Sequence, residues 1–155
     1  MKNQEKVEDP GLEFIEPTDL FIEALWKAFR KLDYVPETLR NIKYIIQSCD
    51  LVAAKLNYAQ LPIASISRKH INRIFQYLRV SKPNEFTVNR RNNYRAYLLQ
   101  LFRQVLKQEA IEHNPITDIE VEKEKSNKEE ILNGTPEGDE LLTIQERYLI
   151  PDTYI

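Results

Sequence analysis

Glycine, cysteine and histidine are all scarce in this chain, which contains 3 glycines, 1 cysteine and 2 histidines in 155 residues. Tight hairpins and phosphate-cradling loops depend on glycine, so its scarcity disfavours both and favours an all-helical chain. A single cysteine excludes an intrachain disulfide, and so few histidines and cysteines provide no zinc-site spacing. We therefore expect neither a metal nor any other cofactor.

Long apolar runs are also missing. No segment approaches the roughly 18–20 apolar residues that a membrane span needs, and the N-terminal sequence MKNQEKVEDPG lacks the apolar stretch of a signal peptide. The composition, 42% hydrophobic and 30% charged, is typical of one soluble globular domain. Together these features predict a cytoplasmic protein with no membrane partner.

The charge is distributed unevenly, although the net charge is only −2. Residues 65–109 contain 10 basic and 2 acidic side chains, whereas residues 110–155 contain 4 basic and 12 acidic side chains. Local charge decides what a surface attracts, so the basic segment indicates a negatively charged partner.

Apolar residues at helical spacing predict four helices. We expect Thr18 and Ser67 to be the N-caps of the first and third helices, and Pro36 to open the second. The fourth should run from about residue 88 to 109 and end at Asn114-Pro115. The expected buried stripes, in helix order, are Phe21, Leu25, Ala28 and Leu32; Leu39, Ile42, Ile46, Cys49, Val52, Ala53 and Leu56; Ile71, Ile74, Phe75 and Leu78; and Tyr94, Leu98, Leu101, Phe102 and Val105.

Two of these helices begin with basic residues, which is unfavourable next to the positive end of a helix dipole. Arg68 and Lys69 lie in the first turn of the third helix, Arg90 and Arg91 lie in that of the fourth, and neither turn contains an acid. A partner with phosphates would reverse this balance, because helix N-termini and arginines both bind anions. The alternative is a basic face that is simply solvated.

Other side chains have plainer explanations. His70 lies within the third helix and is expected on its surface or partly packed, and Cys49 falls on the apolar stripe of the second helix as a buried thiol. In the first helix, Ile22, Trp26 and Phe29 form a second apolar row. This row either widens the buried stripe or contacts another protomer or domain, since tryptophan is enriched at interfaces.

The C-terminal segment has a different character. Residues 120–140 are charged and rich in turn formers, which is typical of a linker. LLTIQERYLIP then has a capping-box spacing at Thr143 and Glu146, followed by Pro151. The sequence ends shortly after this new element begins, as expected of a fragment.

The order of these segments resembles the core-binding domain of tyrosine recombinases, the phage-type and mobile-element integrases. The resemblance covers residues 18–119 and rests on ETLRNIKYI, ISRKHINRIFQYL and TVNRRNNYRAYLLQLFRQVLKQEAIEHNPITDI. The shared features are a Thr-Leu opening of the second helix, a third helix with spaced isoleucines, a YL…LF…L pattern in the fourth, and a final Asn-Pro before an apolar residue. LLTIQERYLI is similar to the opening of the family's catalytic domain, although an acidic linker departs from the family's usual basic one.

The resemblance implies an all-α, four-helix SAM-like (core-binding) orthogonal bundle with a charged C-terminal linker. Such a bundle forms half of a C-shaped clamp around double-stranded DNA at the crossover site. It implies an N-terminal extension at 1–17, the DNA-binding domain at 18–119, a linker at 120–140, and the start of a missing catalytic domain at 141–155. The implied partners are duplex DNA, other recombinase protomers on that DNA, and the chain's own catalytic domain.

Carried over by position, the resemblance also implies a set of DNA-binding residues near the helix starts. They are Thr38, Arg40, Asn41 and Lys43 in the second helix, Arg68 and Lys69 in the third, and Asn89, Arg90, Arg91, Asn93 and Arg95 in the fourth. For the protein interface, Ile22, Trp26 and Phe29 are the candidates.

The family's catalytic arginines, histidine, lysine and tyrosine have no match in this chain, so we expect no enzymatic activity from it alone. Within the full-length protein it would serve a DNA strand-exchange enzyme. A different class of function stays open: a helical protein-interaction domain whose basic face meets its own acidic tail or an acidic partner.

Overall fold

The computed structural model of the chain describes residues 13–124, which form four α-helices and two short 3-10 turns. The helices are α1 (Phe21–Phe29), α2 (Pro36–Leu56), α3 (Arg68–Ser81) and α4 (Val88–Lys107), and the 3-10 turns are Ile63–Ser65 and Pro115–Asp118. Between residues 13 and 124 there is no strand, only one isolated antiparallel bridge between Leu20 and Pro62. The expected all-α class is confirmed for these residues.

The helices surround one apolar core. α1 packs against α2 and α4, α2 also packs against α3, and the 3-10 turn Pro115–Asp118 contacts α3 and α4. The stripes expected for α2, α3 and α4 face inward, and their buried members are Ile42, Ile46, Cys49, Val52, Ala53, Ile71, Ile74, Phe75, Leu78, Tyr94, Leu98, Leu101, Phe102 and Val105. Leu39 and Leu56, near the two ends of the α2 stripe, are half-buried. None of the helices described is long and apolar enough to cross a membrane.

The start of α1 differs from the prediction. Its N-cap is Leu20 rather than Thr18, and no side chain caps the helix. The Phe21 N–H instead donates to the Leu61 carbonyl at 2.9 Å. A loop about forty residues away therefore provides the hydrogen-bond acceptor that a capping side chain would otherwise provide. α1 is also shorter than predicted, and Leu32 lies beyond its end in a half-buried position.

The end of α4 lies within two residues of the prediction, but its cause is different. Glu109 adopts a left-handed conformation with φ 63°, and the Ala110 N–H donates to the Val105 carbonyl at 3.2 Å. Such a left-handed residue terminates a helix without any proline. Asn114 and Pro115 instead start the following 3-10 turn, where Asn114 Oδ1 accepts a hydrogen bond from the N–H two residues later at 3.0 Å.

Both basic helix starts are capped. Ser67 is the N-cap of α3, as predicted, and its N–H donates to His70 Nδ1 at 2.9 Å. At α4 the hydroxyl oxygen of Thr87 accepts a hydrogen bond from the Arg90 N–H at 3.2 Å. These caps fix where each helix begins, and therefore where its first basic side chains leave the backbone.

The packed unit begins before the expected boundary at residue 18. Ile15 is only 2% exposed, and Glu13 pairs with Arg30 across a 2.9 Å Nε–Oε1 distance. At the other end, the structure describes only the first residues of the expected 120–140 linker. The expected element at 141–155 and most of the 1–17 extension lie outside the described residues.

Candidate nucleic-acid interface

The first three turns of α2 and α4 border a cleft of about 290 Å³. Four of the predicted DNA-binding residues line it: Arg40 and Asn41 from α2, and Arg90 and Asn93 from α4. Tyr44, Tyr94, Tyr97 and Ile45 complete the wall. The structure therefore brings together two arginines and two amides that are about fifty residues apart in the sequence.

Helical spacing explains how α4 presents this face. Arg90, Asn93 and Tyr97 follow an i, i+3, i+7 pattern and so point to one side of the helix. Tyr94, on the adjacent side, is buried and hydrogen-bonded to Ser48 of α2. Burial is the main reason that the pKa of Tyr94 is raised, so this hydroxyl stays protonated at neutral pH.

Other predicted residues border this cleft. Thr38 and Asn93 line a neighbouring depression of about 560 Å³ that also contains Tyr34. Lys43 is exposed three residues after Arg40 on α2. Asn89 is exposed at the second position of α4.

Arg68, Lys69 and Arg91 belong to different surroundings. Arg68 and Arg91 line a depression of about 740 Å³ whose other wall is the segment of residues 118–123. Lys69 and Arg68 also border a depression that contains Glu109 and Glu112. The predicted residues are thus divided between the α2–α4 cleft and a second, more acidic region at the start of α3.

Arg91 and Arg95 already have partners within the chain. Arg91 Nη1 donates to the Glu120 carbonyl at 2.9 Å, and Arg91 Nε lies 3.4 Å from Glu122 Oε1. Arg95 Nε donates to the Ile119 carbonyl. The first turn of α4 has no acid of its own, but an acid from beyond the helix compensates part of its charge.

Glu122 is the centre of this arrangement. Arg79 holds its carboxylate with Nη2–Oε1 and Nη1–Oε2 distances of 2.8 and 3.4 Å. The hydrogen bond from Arg79 is the main reason that the pKa of Glu122 is lowered, and the charges of Arg79 and Arg91 lower it further. Burial lowers the pKa of Arg91 while Glu122 raises it, and the guanidinium stays charged.

Sequence reasoning did not identify Arg79 or Glu122 as site residues. Their hydrogen bonds span 43 residues, and no local pattern connects a residue near the end of α3 to one beyond the last 3-10 turn. The sequence also gave no prediction of a site role for Tyr44 or Tyr97. Interleaving of aromatic and basic residues at helical spacing was the available signal for those two.

The proposed interface row of α1 lies mostly inside the domain. Ile22 is 9% exposed, while Trp26 and Phe29 are half-buried against the core. The two aromatic rings meet edge to face with centroids 5.6 Å apart. Most of this row's apolar surface is therefore already covered by the chain itself.

The cysteine and the two histidines have structural roles or pair with a neighbouring side chain. Burial raises the pKa of the Cys49 thiol to about 12, which makes it an unreactive part of the core. His70 caps α3 and packs edge to face on Tyr58 at 4.8 Å, while the exposed His113 pairs with Asp118 at 2.7 Å. Among residues 13–124, no group of three potential ligands is arranged to hold a metal ion.

Comparisons of this chain with protein-family models, with curated proteins and with solved structures found no match.

Proposed function

We propose that this chain is a duplex-DNA-binding module, the core-binding domain of a site-specific tyrosine recombinase. The observation that carries the proposal is the α2–α4 cleft, which brings together Arg40, Asn41, Arg90 and Asn93 from the first two turns of two helices. Arginine side chains and helix N-termini bind phosphate, and amides can read base edges.

The composition of the cleft favours DNA over a small anionic metabolite. Its arginine and amide side chains come from the first two turns of α2 and α4, and the exposed Lys43 and Asn89 extend the polar surface along both helices. A rod of regularly spaced phosphates can contact such an extended surface at several points. Binding should therefore depend mainly on phosphate contacts, with modest base readout from the asparagines.

In this proposal the SAM-like bundle grips one side of the duplex near the crossover site, and the strand-exchange chemistry belongs to a catalytic domain supplied by the full-length recombinase. The chain by itself binds DNA and does not cut it. Other protomers on the same DNA are its expected protein partners, and the half-exposed surfaces of Trp26 and Phe29 are the part of α1 that they could touch.

A second candidate function has an observation of its own. Glu122 pairs with Arg79 and Arg91, so part of the acidic C-terminal region does meet the basic face of the domain. A helical protein-interaction domain that recognises acidic segments would use the same contact. It does not, however, account for the two arginines and two amides of the α2–α4 cleft.

The test is fluorescence anisotropy of the full 155-residue chain with a labelled duplex of about 30 base pairs over a range of salt concentrations. The variant Arg40→Ala, Arg90→Ala removes two charges from the cleft. The variant Arg103→Ala, Lys107→Ala is the matched control, because it removes two exposed charges from the far end of α4.

For about five neutralised phosphates, the plot of log affinity against log salt should have a slope of about −4 to −5. We expect the cleft variant to weaken binding at least about tenfold and to reduce that slope by about 2, with the control near wild type. Equal losses in both variants would mean that only net charge matters. A chain that binds acidic peptides but no duplex at low salt would favour the protein-interaction function.

A further inference from the structure

Two arginines, one near the end of α3 and one near the start of α4, hold the same carboxylate. Arg79 and Arg91 both contact Glu122, and their distances to its Oε1 are 2.8 and 3.4 Å. Phe86 lies under the Arg79 guanidinium at 5.9 Å, and Phe75 lies under that of Arg91 at 5.3 Å. Arg79 Nε also donates to the Phe86 carbonyl at 3.0 Å. These contacts with the core hold both guanidiniums and do not involve Glu122.

The segment that carries Glu122 is held by polar contacts. Asn92 makes two hydrogen bonds to the Glu122 backbone, with distances of 2.8 and 2.9 Å, and Arg91 binds the Glu120 carbonyl. Val121, the only apolar residue between them, is 57% exposed. The anchor of the segment is Ile119, which is 2% exposed in the core. Residues 120–122 can therefore leave the helices while uncovering little apolar surface.

Glu122 is the one acid that contacts both Arg79 and Arg91 among the residues that the structure describes. Arg68 lines the same depression as Arg91, Arg95 donates to the Ile119 carbonyl next to it, and Arg79 and Arg91 hold the Glu122 carboxylate, while Asp118 and Glu120 are the other acids that line the depression. The two-point contact that Arg79 makes with the carboxylate is one that arginine also makes with phosphate. A phosphate has more charge and more acceptor oxygens than a carboxylate, and it could contact Arg91 at the same time.

We propose that Arg79 and Arg91 form a phosphate-binding site for the backbone of duplex DNA, and that Glu122 is an internal competitor for it. This inference rests on the proposed function and adds to it a second contact region and a means of regulation. The segment 120–122 covers the site in the free chain. A DNA phosphate displaces Glu122, and the cost of that displacement lowers the observed affinity.

The experiment compares Glu122→Gln with Glu120→Gln in the full chain. Both changes remove one negative charge from the same segment, but the side chain of Glu120 is exposed and only its backbone carbonyl contacts Arg91. A general effect of net charge is therefore equal in both variants. A third variant, Glu122→Gln with Arg79→Ala, removes the competitor together with one half of the site.

Duplex affinity is measured by anisotropy. We expect Glu122→Gln to bind at least about threefold more tightly than wild type, and Glu120→Gln to change affinity less than about 1.5-fold. The third variant, which also lacks the Arg79 side chain, should lose this gain in duplex affinity. In parallel, NMR signals of the arginine Nε–H groups are followed while inorganic pyrophosphate is added, which tests the site without DNA. Arg79 and Arg91 signals should shift at lower pyrophosphate concentration in Glu122→Gln than in Glu120→Gln.

The outcomes separate this inference from the function on which it rests. Duplex binding with equal affinities for Glu122→Gln and Glu120→Gln would overturn the competitor role and leave the proposed function intact. Pyrophosphate shifts at Arg79 and Arg91 without any duplex binding would overturn DNA as the ligand and the proposed function with it. If neither the pyrophosphate shifts nor duplex binding is observed, both this inference and the proposed function are overturned.

Discussion

The side chain of Asn92 pairs with the backbone of Glu122 as one strand pairs with another. Asn92 Nδ2 donates to the Glu122 carbonyl at 2.8 Å, and Asn92 Oδ1 accepts from the Glu122 N–H at 2.9 Å. An amide side chain can supply one donor and one acceptor in this way because it has the same groups as a peptide bond. The pair attaches the chain beyond the last 3-10 turn to the first turns of α4.

Asn92→Ala should release this attachment. Two hydrogen bonds, each contributing about 0.5–1.5 kcal/mol, are lost, so the free energy of unfolding should fall by about 1–3 kcal/mol. Amide hydrogen exchange at Glu122 should accelerate strongly, because its N–H loses its acceptor. The exposed neighbour Asn93→Ala is the control, and we expect exchange at Glu122 to be unchanged in it. Equal protection of Glu122 in all three proteins would contradict the attachment.

His70 should make the stability of the domain depend on pH. Burial is the main reason that its pKa is lowered, and the charges of Lys69 and Arg73 lower it further. The unfolded chain, with a histidine pKa of about 6.5, then binds more protons than the folded one. The stabilising contribution is fully present above about pH 6.5 and is lost as the pH falls through the lower folded pKa.

The measurement is urea unfolding of wild type and His70→Gln at about pH 7.5 and at about pH 5.5. Glutamine keeps an acceptor for the Ser67 N–H, as in a capping box, but does not titrate. We expect wild type to lose more stability on acidification than the variant does. The same loss in both proteins would assign the pH dependence to other groups.

Glu109→Gly should stabilise the domain. Glu109 ends α4 with φ 63°, a left-handed conformation that costs a residue with a Cβ about 1 kcal/mol and costs glycine little. We expect a gain of about 0.5–1 kcal/mol in the free energy of unfolding, measured by thermal or urea denaturation. Asn57→Gly is the matched control, since Asn57 ends α2 with the same φ of 63° but asparagine tolerates it. A larger gain at Asn57 than at Glu109 would contradict this explanation.

The sequence predicted correctly those features that depend on nearby residues, and it failed where distant residues decide the structure. The stripe of α4 and the Ser67 cap of α3 were predicted well, because helical periodicity and capping depend on residues within one or two turns. The N-cap at Thr18 was wrong because the start of α1 is satisfied by Leu61, about forty residues later. The prediction that Asn114-Pro115 ends α4 gave the wrong cause, because the helix ends at Glu109, whose left-handed conformation is not typical of glutamate.

The same division applies to the candidate site. By itself, the sequence determined that Arg90 and Arg91 lie in the acid-free first turn of α4, since composition and capping are local properties. The tertiary structure alone decided their different surroundings: Arg90 lines the α2–α4 cleft, whereas Arg91 contacts Glu122. Consecutive side chains on a helix point about 100° apart, so which neighbour each one meets depends on how the helices and the following segment pack.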